Sequence, residues 1–252
     1  MRIACGIEYD GEPFLGFQNQ KQGLTVQESL EKAISQVANE PVSIFCCGRT
    51  DTGVSAKHQV IHFDTPVHRT ERQWRLGLNS SCHRAISVLW AMPVADDFHA
   101  RFSATSRSYH YTILNRNVKP AIGRHSLTWE MMPLDEGKMA LAAEYLLGTH
   151  DFSALRSSKC QSKEPVKTIA EARIVRAGQL IHFYVTANGF LHHMIRNIMG
   201  VLIPIGRGEK PPEWMKQIIE SKDRTQAGVT AAPNGLAFAG VTYPDRFEIP
   251  RI

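Results

Sequence analysis

Apolar and polar positions alternate from the first residues: Ile3, Cys5, Ile7 and Tyr9 fall on one side of a strand over 2–10, with Ala4, Gly6 and Glu8 on the other. After the loop GEPFLGFQNQKQG the period changes. Thr25 and Glu28 make a Thr-x-x-Glu capping box, and Val26, Leu30, Ala33, Ile34 and Val37 recur at helical spacing, which predicts an amphipathic helix. Two apolar runs, 42–47 and 60–63, predict a strand, a short loop and a second strand ending at Asp64. A helix around 71–78 and a continuous apolar strand over 86–93 complete this half. Residues 106–115 open the next half as a strand with Tyr109, Tyr111 and Ile113 on one face, and Met139, Ala142, Ala143 and Leu146 mark a helix. Segments 171–176 and 180–187 read as a hairpin turning at Ala177-Gly178-Gln179. A helix over 191–203 carries Leu191, Met194, Ile195, Ile198 and Leu202 on its apolar face, Pro211 and Pro212 open another that runs to Ser221, and 235–243 reads as a closing strand. Both halves hold a strand, a helix, further strands and a second helix, with no sequence repeat. The expected fold is α+β: two similar α/β sandwich lobes, residues 1–104 and 105–252, sharing a central and mostly antiparallel sheet.

A chain of 252 residues can bury a large core and lies near the size at which folds divide into lobes. With 43% apolar and 21% charged residues it has the composition of an ordinary globular protein, which excludes a disordered or low-complexity chain. No apolar run reaches the roughly 18 residues of a membrane span. The opening MRIACGIEYD enters alternation without a basic-then-apolar leader, so a cytoplasmic protein without membrane contact is expected. Five cysteines at 5, 46, 47, 82 and 160 form no C-x-x-C pair, which favours free thiols in a reducing compartment over disulfides or structural zinc. Cys46 and Cys47 lie in an apolar run, and at least one of them is expected in the core. Lys plus Arg exceed Asp plus Glu by 29 − 24 = 5, an excess that suits an RNA-facing surface without requiring one.

Candidate chemistry sits where polar residues interrupt these patterns. Residues 48–54, Gly-Arg-Thr-Asp-Thr-Gly-Val, form a short glycine-bounded loop between two strands, a place where side chains are held rigidly at a sheet edge. Asp51 is the first candidate for a reacting group, with Arg49 beside it. The plain alternative is a turn in which Asp51 caps backbone amides and Arg49 is a solvated charge. In ANGFLHHMIRNIMG, His193, Arg196 and Asn197 stand at helical spacings opposite the apolar stripe, directly after Asn188 and Gly189 break a strand. A solvated helix face would look the same. Arg196 is a candidate partner for the Asp51 carboxylate, since a planar guanidinium binds a carboxylate through two parallel bonds. Tyr109 offers a ring with a polar tip, or is simply a tyrosine of the sheet surface. His58 and His62 lie four apart, but on an alternating strand with no glutamate after His58, which argues against zinc. His192 and His193 are adjacent and on a helix would point apart. Phosphate-binding Gly-x-x-x-x-Gly-Lys, dinucleotide-binding Gly-x-Gly-x-x-Gly and the Gly-x-Ser-x-Gly elbow are all missing, which disfavours nucleotide-dependent, hydride-transfer and serine-hydrolase chemistry.

Five segments, in order and over almost the whole chain, resemble the tRNA pseudouridine synthases of the TruA type: GIEYDGEPFLGFQNQ, GRTDTGVSAKHQVIHF, FHARFSATSRSYHYTI, ANGFLHHMIRNIMG and GLAFAGVTYP. The resemblance implies that Asp51 is the essential aspartate, Tyr109 the tyrosine beside the target uracil, Arg196 the arginine paired with the aspartate, and Arg49 a loop residue that helps flip the base out. Thr52 stands where alanine is usual and Ser55 where histidine is usual, departures that touch RNA contacts rather than reacting groups. The family's architecture implies two α/β lobes around a common sheet with the active-site cleft between them, a homodimer, and neither metal nor cofactor. Its reaction isomerises uridine to pseudouridine on the 3′ side of the tRNA anticodon stem-loop, at tRNA positions 38, 39 and 40. A lone carboxylate then acts as nucleophile, unlike the paired acids of a typical glycosidase. Two rivals from other classes are a non-catalytic RNA-binding module, which would display a platform of aromatics, and a nucleoside hydrolase, which would release free uracil.

Overall fold

The computed structural model describes residues 1–158, 160 and 162–251, which fall into two compact units: 1–106 with 237–252, and 107–236. Each is α+β, and five α-helices occur among the described residues.

In the first unit the elements run β1 (Arg2–Tyr9), α1 (Val26–Ala38), β2 (Phe45–Cys46), β3 (Ser55–Asp64), α2 (Glu71–Ser81) and β4 (Ile86–Val94). β1 is central, antiparallel to β3 from Arg2↔Asp64 to Tyr9↔Ala56 and antiparallel to β4 from Arg2↔Val94 to Tyr9↔Ile86. Alternation predicts one buried face for β1, yet Ala4 and Gly6 on the other face are buried as well. At Gly6 the cover is Trp90: a Cβ there would stand 2.1 Å from its indole nitrogen, so glycine is what lets the ring lie on the strand, where it donates to His58 Nε2 at 3.0 Å. The other face carries Ile3, Cys5, Ile7, Ile61 and Phe63, all fully buried, with Trp74 of α2 packed edge-on to Phe63. Thr25 caps α1 by accepting from Glu28 N while its hydroxyl donates to Asn19 Oδ1, but the Glu28 side chain makes no return bond to Thr25 N, so the reciprocal box is only half made. The complete box is in α2, where Thr70 and Gln73 bond each other's amides.

The predicted strand over 42–47 shrinks to β2. Val42 and Ile44 are buried, but their amides are taken by Ser35 Oγ and Glu31 Oε1 of α1 and are unavailable to the ladder. Of the adjacent thiols, Cys47 is buried and Cys46 half-buried, and all five cysteines are free.

The second unit contains β5 (Ser106–Asn115), β6 (Thr128–Glu130), α3 (Glu136–Glu144), β7 (Gly148–Asp151), β8 (Val166–Ala177), β9 (Leu180–Ala187), α4 (Met194–Gly206) and α5 (Trp214–Ser221). Its sheet runs β5-β9-β8-β7 antiparallel, with β6 alongside β5 in parallel. The predicted hairpin forms, with Gly178 at φ 61° in the left-handed region that its turn requires. The core collects Tyr111, Ile113, Phe183 and Val185 from the sheet with Met139, Ile198, Leu202 and Met215 from the helices. α4 starts three residues later than its apolar period suggests, because His193 adopts φ 61°, ψ 4° and interrupts the turn. The last strand, β10 (Leu236–Thr242), returns to the first unit and pairs in parallel with β3 at Ala237↔Ser55 and Phe238↔Ala56. Tyr243 closes it there, donating to Ala100 O at 2.7 Å.

Candidate active site

Asp51 lies in the short crossing from Cys47 to Val54, and the backbone beneath it is held from several directions. Cys47 N donates to Val60 O, extending the β2–β3 ladder by one bond, and Gln59 Nε2 donates to Gly48 O. Thr50 is buried: its carbonyl accepts from Phe17 N at 3.0 Å and its hydroxyl shares a 2.8 Å hydrogen bond with Tyr9. Burial in turn pushes the Tyr9 phenol well above its ordinary range, so it stays protonated as a fixed partner. Val54 N folds back to Asp51 O at 3.1 Å, and Gly53 sits at φ 76°. Gly16, at φ 93°, passes so close that a Cβ would lie 2.9 Å from Thr50 O and 3.2 Å from the Asp51 carbonyl carbon. The result is a loop fixed at Thr50, with Asp51 half-buried, Arg49 and Thr52 exposed, and the Ser55 hydroxyl turned away to accept from Gly11 N at 3.0 Å. Local pattern alone leaves this buttress invisible, because Gly11 and Gly16 look like ordinary loop glycines.

In the second unit Tyr109 is half-buried on β5, opposite Val185 of β9, with its ring edge-on to Phe190 at 5.0 Å and 80°. Arg196 is in the first turn of α4. Its Nε donates to Ala231 O at 2.8 Å while Ala231 N donates to Arg196 O at 3.0 Å, so helix and segment 224–232 are clamped to each other. Asn197, expected on a polar stripe with His193 and Arg196, is instead fully buried: its Nδ2 donates to Leu155 O at 2.8 Å, and its Oδ1 accepts from Thr230 at 2.7 Å and from Arg224 at 3.1 Å. Arg224 also donates to the Ala227 and Gly228 carbonyls. The solvated-face alternative fails for this residue, since a side chain with three internal partners has no need of water. His193 precedes the helix, and its ring meets that of His192 at 4.0 Å rather than pointing away.

Tyr111 is the residue that sequence reasoning assigns to packing alone. Its hydroxyl bonds Thr128 Oγ1 at 2.6 Å and Ala232 O at 2.8 Å. Burial pushes its phenol up to about 12, with the Thr128 bond and the charge of Arg196 pulling the other way. Tyr111 therefore holds the residue next to Ala231, and the Arg196 head group is set by one segment pinned at three points. The histidines four apart on β3 are satisfied core residues: His58 accepts from Trp90, and His62 Nδ1 accepts from Ala100 N at 3.1 Å. No helix among the described residues is long and apolar enough to cross a membrane.

The tRNA pseudouridine synthase family profile matches residues 6–103 and 142–244, which include Asp51 and Arg196. The chain belongs to that family, and its members are isomerases acting on tRNA. Among individual relatives, a protein named tRNA pseudouridine synthase A from Nitrosococcus oceani is 49% identical over 252 residues, covering 100% of this chain and 97% of that protein. One of the same name from Stenotrophomonas maltophilia is 50% identical over 251 residues, 99% of this chain and 98% of the relative. A third, from Coxiella burnetii, is 49% identical over 251 residues, with 100% and 96% covered.

Proposed function

We propose that the protein converts uridine to pseudouridine on the 3′ side of the tRNA anticodon stem-loop, with Asp51 as nucleophile. The observation that carries this is the construction of the Asp51 loop: the neighbouring Thr50 is buried and bonded through both carbonyl and hydroxyl, so Asp51 stands half-buried on a held backbone. The reaction breaks the bond from uracil N1 to the ribose, turns the ring, forms a bond from C5 to the same sugar carbon, and moves one proton from C5 to nitrogen. No electrons are gained or lost. A carboxylate that bonds the substrate transiently, at the anomeric carbon or at uracil C6, splits this into two easier steps. On the family resemblance Arg196 pairs with that carboxylate and keeps it ionised. The Tyr109 ring packs on the uracil, and its hydroxyl assists removal of the C5 proton. A base stacked in a stem is out of reach, so the nucleotide is extruded, with Arg49 filling the space it leaves. Basic side chains grip the phosphates of the tRNA body. The same resemblance supports a cytoplasmic homodimer that uses neither metal nor cofactor.

The test is Asp51→Asn. Binding of tRNA stays within a few-fold of wild type while turnover disappears, because removing a covalent catalyst costs several orders of magnitude. Retention of even about a tenth of wild-type turnover contradicts the nucleophilic role. Product analysis by carbodiimide mapping distinguishes an isomerised uridine still in the chain from a released base or simple binding.

A further inference from the structure

The second unit contains a groove with a cavity volume of 620 Å³, lined among others by Lys119, Arg124, Leu127, Trp129, Ala232 and Asn234. Its volume suits a single nucleotide. Among the described residues no carboxylate lines it, and both charged lining residues are basic. Trp129 forms one wall and is fixed there: it lies in β6 opposite Leu114, and its Nε1 donates to Arg116 O at 2.8 Å. With its N–H committed and 40% of its surface still exposed, the indole has a π-face to offer but no donor. A rigid aromatic beside two cations, with no acid among the described lining residues, is the arrangement that receives an unpaired base and its flanking phosphates. Ala232 lines the groove, accepts the Tyr111 hydroxyl through its carbonyl, and follows Ala231, which is bonded to Arg196.

We propose that this groove is an additional RNA contact, holding one unpaired nucleotide of the tRNA with its base on Trp129 and its phosphates against Lys119 and Arg124. The inference rests on tRNA being the substrate. It adds a site that the Asp51 chemistry does not need, and it joins that site to the segment that sets Arg196.

The experiment is filter binding of an in vitro tRNA transcript across a salt series, with wild type, Trp129→Ala, Trp129→Phe and the double variant Lys119→Gln/Arg124→Gln, each also run in sedimentation equilibrium. Trp129→Ala weakens binding on the order of ten-fold or more, the usual effect of deleting a base-stacking ring. Trp129→Phe also loses the bond to Arg116 O but keeps a ring, and retains most of the affinity. The double variant lowers the slope of log affinity against log salt by about 1.4, roughly 0.7 for each single-strand phosphate that no longer meets a cation. Equal weakening in the Ala and Phe variants shows that the indole serves only the fold and overturns the proposal. So does a change in oligomeric state that accompanies the weaker binding, which makes the groove an interface between copies of the chain, and so does wild-type binding by all variants. If wild type itself neither binds tRNA nor forms pseudouridine, the functional reading fails along with the groove; if it does both, only the groove is at stake.

Discussion

Replacing Gly200 with alanine sets a local preference against a tertiary contact. Gly200 lies inside α4, where alanine is normally favoured by about 1 kcal/mol. A Cβ there, however, would stand 1.9 Å from the Val229 carbonyl oxygen and 2.9 Å from its carbon. Ordinary contact begins at roughly 3.5 Å, so backbone must move by about 1.5 Å. The atom in the way belongs to the segment tied by Arg224 to the Ala227 and Gly228 carbonyls and by the mutual bonds of Arg196 and Ala231. Overpacking costs about 1–3 kcal/mol. Losing the Arg196–Ala231 clamp adds about 1 kcal/mol for the amide bond and about 2 for the charged one. Less the helical gain, the variant should be destabilised by on the order of 3–5 kcal/mol, lowering Tm by roughly 6–20 °C. Arg196 also loses its brace, so the single-turnover rate should fall ten-fold or more while tRNA affinity changes by less than about three-fold. Thermal unfolding by circular dichroism and single-turnover kinetics read the two effects. A Gly200→Ala protein as stable as wild type and equally fast would refute the clamp as the device that places Arg196.

Three further outcomes are expected. Arg196→Lys keeps the charge but loses the fork and the Nε bond to Ala231, so activity drops far more than affinity; unchanged single-turnover rates would remove the proposed pairing with Asp51. Tyr109→Phe keeps the ring and loses only the hydroxyl, so it binds RNA but releases tritium from C5-labelled uracil at least about a hundred-fold more slowly, whereas normal release from both Phe and Ala variants would take Tyr109 out of the site. Burial, with His99 and Arg2 nearby, holds His62 down to about 4, while Asp64 pulls the other way. The unfolded chain takes up that proton near 6.5 and the folded protein does not, so the stability is fully present above 6.5 and is lost as pH falls toward 4. Urea titrations across that range should show a slope that His62→Gln flattens, and an unchanged slope would mean that His62 is not the group responsible.

How much of this is legible in the sequence depends on where each residue's partners lie. β9 and the β8–β9 turn follow the local period because the side chains of β9 alternate between a buried and a half-buried face and the hairpin pairs segments close in sequence; β5 keeps its strand pattern although its partner in β9 lies far along the chain. The strand over 42–47 looks equally good, but Glu31 and Ser35 claim its amides from a helix whose approach no local pattern encodes. Asn197 stands out in the sequence as a polar interruption, yet the pattern faces it to solvent and the structure buries it. Its partners are Leu155, Arg224 and Thr230, between 27 and 42 residues away. The return of 237–252 to the first unit combines a short parallel pairing with β3 and bonds from Thr105 to Thr242 and from Tyr243 to Ala100, again long-range events. The Asp51 loop can be located from its glycines and flanking apolar runs, while the role of the aspartate comes from family resemblance. β6 escapes sequence reading altogether: three residues centred on an exposed tryptophan carry no period at all.

The residues that are hardest to read share one physical role. Beside each half-buried candidate stands a buried neighbour whose polar groups are satisfied internally: Thr50 next to Asp51, Asn197 next to Arg196, and Tyr111 two along the strand from Tyr109. The neighbour takes the backbone out of play, so the candidate side chain stands on a held backbone without being covered. For an isomerisation with no net oxidation or reduction, position and charge are what a protein's own side chains can contribute, and both decay quickly with misplacement. A loop free to move by an ångström would still bind a large polyanion, because phosphate contacts are many and tolerant. The nucleophilic role proposed for Asp51 is less tolerant, because it requires a carboxylate within bonding distance of one carbon atom of one nucleotide. On that proposal the buried polar neighbours are where binding and turnover come apart, and this is why loss of the clamp beside Gly200, which bears on Arg196, is expected to register in rate far more than in affinity.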